Sequence, residues 1–343
     1  MRVEHVEYNT SRAVRRVRLA LGREEMNDVI VVASSNGNVG IGASMDILRN
    51  GGSAVDAVEA GIRLVESNPD DHSVGYAGLP NLLGEVELDA SIMDGRSLAA
   101  GAVGAVHNYE HVITLARMVM DELPHVMLVG PGAERFAAEM GMEQRDLLTE
   151  EAREGWRAYL EEEFPPEQVG SIRYQKQVRE WVKRMVNPEK NTGTVNFIAR
   201  DQNGNIATGV STSGWQWKYP GRLGDSPIIA AGNYADNRYG AAACTGRGEM
   251  AIRCATARSI VLYMKMGMRL EAALAEAMVD LQSLEDPYAA GMNVVALDRD
   301  GRPGAATNRP GATFIYQTGA MDAYTQQPRM VIPDPRGSSG FLA

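Results

Sequence analysis

Only two cysteines, Cys244 and Cys254, occur in the 343 residues, which excludes a disulfide scaffold and a cysteine-based zinc site. Aromatic residues make up only 6% of the chain, so the core has to be assembled from Ala, Val, Leu, Ile and Met. No apolar run approaches the length of a membrane span. Basic residues are outnumbered: 34 Lys and Arg face 44 Asp and Glu, for a net charge of −10, and none of the cations cluster. This balance argues against nucleic acid and against an anionic membrane surface as partners. Five histidines are present. His107 and His111 flank Glu110 at helical spacing, but the H-E-x-x-H order of a zinc helix is absent, so they read as a surface pair. The opening stretch MRVEHVEYNTSRAVRRVRLALG carries charge without an apolar core of signal-peptide length, and the expectation is a soluble, cytoplasmic protein. At 44% hydrophobic and 23% charged residues, the chain has the composition of a folded globular protein.

Residues 1–28 read as a polar extension with a short helix at Arg12–Leu21. Val29–Ala33 is a short apolar run ending in Ser34-Ser35-Asn36-Gly37, the pattern of a buried strand. Helices follow at Ile41–Arg49 and Ala54–Glu66; the second places Val55, Val58, Ile62 and Val65 on one face. Glu85–Met93 alternates and predicts a half-buried strand. A helix at Val112–Asp121, a strand at Val126–Val129 and a helix at Ala133–Met140 come next. The stretch 143–190 is rich in Glu, Arg and Lys, carries Pro165-Pro166, and reads as charged helices in a solvated linker. Thr194–Arg200 and Asn205–Ser211 flank Asp201-Gln-Asn-Gly204, a strong hairpin signal. Glycine-rich loops are expected over 219–248, one long helix over 247–266 and another over 270–281. Strands are expected at Asn293–Asp298 and Ala312–Gln317. Strands here favour hairpins over regular β-α-β alternation, which points to layered α+β or a four-layer sandwich rather than a doubly wound sheet.

Gly37-Asn-Val-Gly40-Ile-Gly42 follows the first strand and opens a helix. The order differs from G-x-G-x-x-G, and no acidic residue closes a second strand about 20 positions on, so a tight strand-to-helix turn accounts for it. A more specific signal is a set of four segments: HSVGYAGLPNLLGEVELDASIMDG (72–95), GTVNFIARDQNGNIATGVSTSGW (193–215), PGRLGDSP (220–227) and GAAACTGRGE (240–249). In type and order these resemble the signatures of the glycosylasparaginase and plant-type asparaginase family of N-terminal-nucleophile (Ntn) hydrolases, over nearly the whole chain from Val29.

The resemblance implies an α+β fold, a four-layer αββα sandwich, occupying 29–343 as a single domain. It also implies a precursor that cuts itself between Gly193 and Thr194, giving an α chain of 1–193 and a β chain of 194–343. Thr194 would then be the nucleophile. A threonine hydroxyl needs an adjacent base, no histidine lies near it in sequence, and a freed α-amine with a pKa of about 7.7–8.0 can serve. By the same resemblance Thr212 assists the nucleophile and Thr245 with Gly246 forms the oxyanion hole. Arg222 and Asp225 grip the carboxylate and ammonium of an amino-acid head, Gly248 leaves room for it, and Ser73 joins the substrate site. No cofactor and no metal are implied. The partner is a small amide substrate, and the assembly a homodimer of processed αβ units.

Read without the resemblance, Thr194 merely begins a hairpin, Arg222 and Asp225 form a surface salt bridge, and Thr245 caps a helix. Cys244 reads as a small buried filler. Where glycosylasparaginases carry a tryptophan after the first strand, this chain has Ala33-Ser34-Ser35. It also has Thr192-Gly193 before the nucleophile, as plant-type asparaginases do, and Asn196 where the family usually has glycine. The expected activity is therefore hydrolysis of a β-amide of an aspartyl group, in asparagine, β-aspartyl peptides or glycosylasparagine, leaning away from the last. The alternative is an unprocessed, silent member used for binding or assembly.

Overall fold

A computed structural model describes residues 29–164, 178–185 and 193–333; the helix expected at Arg12–Leu21 lies outside them. The first strand, β1 (Ile30–Ser34), is buried along its whole length, as its run of β-branched residues requires. It sits between β11 (Thr313–Thr318) and β5 (Val195–Arg200), antiparallel to both. A short 3-10 turn, Ser35–Val39, leads into α1 (Ile41–Arg49), and α2 (Ala54–Glu66) follows. Ser53 and Asp56 cap α2 reciprocally, each side chain accepting from the other's backbone N–H. The glycine cluster of this region serves packing: a Cβ on Gly40 would lie 2.1 Å from the Gly61 carbonyl of α2.

The next elements are β2 (Leu88–Asp94), β3 (Ala100–Val106), α3 (Val112–Glu122), β4 (Met127–Val129) and α4 (Gly130–Glu139). Then come α5 (Glu150–Glu163), α6 (Val178–Met185) and the hairpin of β5 with β6 (Ile206–Thr212). Its turn uses Gly204 at φ +76°. The remainder comprises β7 (Asn233–Asp236), β8 (Gly240–Gly246), α7 (Gly248–Cys254), α8 (Thr256–Lys265), α9 (Leu270–Gln282), β9 (Met292–Asp298), β10 (Pro303–Thr307), β11, β12 (Thr325–Pro328) and β13 (Met330–Val331). The strands form an eight-stranded sheet, β12-β11-β1-β5-β6-β2-β3-β4, and a five-stranded sheet, β13-β10-β9-β8-β7.

Side-chain alternation assigns the layers. From β1 and β5, Val31, Ala33, Val195, Phe197 and Ala199 pack with α1, α2 and α3, whereas Ile30, Val32 and Ile198 face the second sheet. On β8, Ala241 and Ala243 face the first sheet while Ala242 and Cys244 face α8 and α9. The result is the expected αββα sandwich. Cys244 is the buried filler anticipated, with burial pushing its thiol well up.

Several sequence expectations are corrected. The strand at β2 is buried on both faces because it lies between helices and the second sheet. The strands β3, β7, β8 and β10 fall where loops, or nothing regular, were expected. β3, β8 and β10 are built largely of Ala and Gly, which have little β propensity but allow close layers: a Cβ on Gly101 would meet the Ala116 carbonyl of α3 at 1.9 Å. The single helix expected over 247–266 is two helices, broken at Ala255 with φ +47°. The charged stretch is also more than a solvated linker. Leu160, Phe164 and Trp181 are buried with Leu82 and Trp217 in a separate core, in which Tyr159 stacks on Trp217 at 5.0 Å between centroids. His107 and His111 are partly buried and face Glu134 at 2.8 Å and Glu66 at 3.5 Å. Among the described residues no helix is long and apolar enough to cross a membrane.

Candidate active site

Thr194 immediately precedes β5, a strand in the centre of the larger sheet, and only 8% of its surface is exposed. Its hydroxyl donates to the carbonyl of Gly193 and stands 3.2 Å from the Thr212 hydroxyl at the end of β6. Thr212 in turn lies 3.0 Å from the Gly193 carbonyl oxygen, as donor, and accepts from the Gly214 N–H at 2.9 Å. The hairpin turn therefore fixes two hydroxyls, 18 residues apart, on one carbonyl. A hydroxyl donor on that oxygen favours the negative charge that develops there when a nucleophile adds.

Gly193 has a φ of +145°, and a Cβ there would fall 1.8 Å from the Cβ of Ser73. Ser73 is held by Asp71, which accepts from both its N–H and its hydroxyl. Asp71 also accepts from Asn36 at 2.8 Å, and Asn36 accepts from Ser34 at 2.7 Å. This chain of contacts ties the loop after α2 to the end of β1. Gly193→Ala is thus expected to displace the Gly193–Thr194 bond, the one at which the sequence resemblance expects self-cleavage. Self-cleavage, followed by intact mass after a fixed incubation, should fall by at least about ten-fold, the scale of a clash costing over 1–2 kcal/mol. Unchanged cleavage would mean that this glycine has no positioning role.

Gly193, Thr194, Ser73, Thr245 and Gly246 all line one cavity of about 780 Å³. Thr245 is the penultimate residue of β8, and no hydrogen-bond partner for its hydroxyl is found among the described residues. It does not cap α7: the residue at that position is Arg247, without a side-chain cap. Gly246 has a φ of +120°, and a Cβ on it would meet the Gly291 carbonyl at 2.1 Å.

Arg222, Asp225 and Gly248 lie elsewhere. Arg222 does not pair with Asp225. It grips Glu249 bidentately, through Nε at 3.0 Å and Nη2 at 2.7 Å. Burial opposes ionisation of Glu249, but the Arg222 pair and Arg247 outweigh it and hold its pKa below the usual value. The remaining Nη1 faces two glycines, 3.0 Å from a Cβ built on Gly224 and 3.5 Å from one on Gly214. Gly214 is the residue whose N–H holds Thr212, so Arg222 and the hydroxyl pair are separated by one residue's backbone. Asp225 is 3% exposed with Oδ2 unpaired, and burial raises its pKa to about 7. A Cβ on Gly248 would come within 2.7 Å of the Asp225 N–H nitrogen and 3.0 Å of its Oδ1. The glycines thus keep space around both charged groups. A second, smaller hollow of about 190 Å³ carries Arg222 with Trp215, Arg247, Glu249 and Val182 of α6.

Other residues were not anticipated. Lys218, Glu87 and Asp89 are all at most 3% exposed beneath the Arg222 loop. Lys218 Nζ donates to the Glu87 carbonyl at 3.1 Å, and the Glu87 carboxylate accepts from the Gly221 N–H at 2.7 Å. Burial drives the Lys218 pKa down and the Asp89 pKa up. The two acids appear as alternating residues of the expected β2 strand, but only a buried-charge argument would have singled them out. Asn196, at the position where the sequence resemblance expects a glycine, does not line the cavity. It accepts from the Ser34 N–H at 3.0 Å within the sheet. Ser35, at the position where the sequence resemblance expects a tryptophan, does line it.

A four-layer αββα sandwich with a threonine hydroxyl set on the carbonyl that precedes it is the architecture of an Ntn hydrolase. The sequence model of the asparaginase family matches residues 28–326, and the chain belongs to that family. It is 37% identical over 291 residues to an N(4)-(beta-N-acetylglucosaminyl)-L-asparaginase of Elizabethkingia miricola, covering 82% of this chain and 80% of that one. It is 39% identical over 256 residues to an isoaspartyl peptidase/L-asparaginase of Rattus norvegicus, covering 74% and 69%. It is 38% identical over 273 residues to a plant-type L-asparaginase of Pyrococcus horikoshii, covering 79% and 85%.

Proposed function

We propose that this amidohydrolase matures by cutting its own Gly193–Thr194 bond and then cleaves the β-amide of aspartyl compounds. The observation that carries the reading is the Thr194 hydroxyl, placed on the Gly193 carbonyl with Thr212 bonded to both. Addition of that hydroxyl to the carbonyl transfers the acyl group from nitrogen to oxygen, and water then releases the first fragment. The freed α-amine of Thr194 becomes the base for later turnovers. Arg222 Nη1 and Asp225 hold the carboxylate and ammonium of the aspartyl head, and Thr245 with Gly246 binds the oxyanion.

Cleavage leaves the fold intact because the two fragments are interleaved. In the larger sheet β1, from the first fragment, is paired with β11 and β5 of the second, and β2 is paired with β6. The wall near Ser35 lacks an aromatic surface for a sugar face, which favours asparagine and β-aspartyl peptides over glycosylasparagine. The test is a denaturing gel together with an ammonia-release assay on L-asparagine. Two bands, of 193 and 150 residues from the 343-residue chain, with ammonia release are expected. A persistent full-length band without activity would support a silent, binding role instead.

A further inference from the structure

The Thr194 cavity is electrostatically lopsided. One wall carries Asp70 and Asp71, the latter committed to Asn36 and Ser73. Another part of the lining, contributed by residues 291–329, carries Arg309 and Arg329. Arg329 is 5% exposed, and it adjoins β13 beyond the end of the segment matched by the asparaginase family. Its Nε donates to the Thr313 carbonyl at 2.9 Å and its Nη1 to the Val294 carbonyl at 2.7 Å. No carboxylate pairs with it among the described residues. Two carbonyls satisfy two of the five N–H donors of a guanidinium, so a buried positive charge and spare donors remain at the cavity wall. Burial alone lowers its pKa to about 10, so it stays charged at neutral pH. Arg309 lies nearby, its stem across Gly291, where a Cβ would come within 2.8 Å of both its Cδ and Nε. It too has no carboxylate partner among the described residues.

A buried cation without a counter-ion is costly, and an anionic ligand offsets the cost. Arg222 and Asp225, which hold the aspartyl head, do not line this cavity. With the head held outside it, the cavity receives the scissile carbonyl, at Thr194, Thr245 and Gly246, and the part of the substrate beyond the amide nitrogen. We propose that Arg329, assisted by Arg309 at the rim, forms an anion subsite for a carboxylate on the leaving group. This rests on the reading of Thr194 as the nucleophile. The preferred substrate is then a β-aspartyl dipeptide with a free C-terminus. Ammonia and a neutral sugar amine, the leaving groups from asparagine and glycosylasparagine, gain nothing from the subsite.

The experiment compares kcat and KM for β-aspartyl-glycine, its C-terminal carboxamide and L-asparagine on processed enzyme. In the wild type, KM for the free acid should be about ten- to one-hundred-fold below that for the carboxamide, with kcat similar, as for one charge-assisted hydrogen bond. Arg329→Gln should erase that difference and leave asparagine turnover within about three-fold, on the scale of the general scatter of such effects. Arg329→Lys should restore part of the difference. Equal KM values for acid and carboxamide in the wild type would overturn the subsite without any need for a variant. Asparagine turnover would then still uphold the nucleophile. Hydrolysis of none of the three amides would instead overturn the functional reading, and this inference with it.

Discussion

Thr194→Ala is expected to remain a single 343-residue chain, while Thr194→Ser and Thr194→Cys still divide at the same bond, more slowly. Alanine removes the only group placed on the Gly193 carbonyl that can both add to it and accept the acyl group. The Thr212 hydroxyl also reaches that oxygen, at 3.0 Å, but only the Thr194 hydroxyl belongs to the residue whose nitrogen leaves, so only it can carry the N-to-O acyl shift. Amide hydrolysis should fall by at least about three orders of magnitude, because nucleophile and general base are lost together. Intact-mass spectrometry and ammonia release check both parts. Cleavage of the alanine variant at 193/194 would refute the mechanism.

Asp225→Asn is expected to separate binding from stability. Wild-type Asp225 is buried with one oxygen unpaired, and burial raises its folded pKa to about 7 from the ordinary 3.8. Because the folded value is the higher one, the group's contribution to stability is fully present below pH about 4. It declines as pH rises and is lost by pH about 7. Asparagine has nearly the same shape and never ionises, so the variant should melt at or above the wild-type temperature at pH 8, with the gap closing towards pH 4. Its kcat/KM for L-asparagine should nevertheless drop by about one-hundred-fold, as an ammonium loses its ionic acceptor. In the wild type, KM should fall as pH rises through about 7, when the carboxylate forms. A lower melting temperature at pH 8 combined with unimpaired turnover would refute this assignment.

Much of the fold was legible because its clearest elements have unambiguous local chemistry. The β-branched run of β1, the one-faced apolar pattern of α2 and the Asn203-Gly204 turn each specify their own geometry. The strands β3, β8 and β10 were not legible, since Ala and Gly give no strand signal. They become strands only because neighbouring layers require small residues. The break at Ala255 was hidden for a similar reason: its left-handed conformation is imposed by how α7 and α8 pack, with no Gly or Pro to announce it.

For the site, Thr194, Thr212, Arg222 and Thr245 were singled out by the resemblance of their segments, taken in order, to one family, because read locally the same residues are only a hairpin start, a strand residue, a surface pair and a cap. Tertiary structure alone decided which charges meet. It gave Arg222 to Glu249, which lies 27 residues away, rather than to Asp225 three residues away. It also buried Asp225 and carried Arg329 from the far end of the chain to the cavity of Thr194. A charge's partner and its pKa depend on distance and on the water excluded around it, and linear spacing determines neither in a sheet whose neighbouring strands come from opposite ends of the sequence.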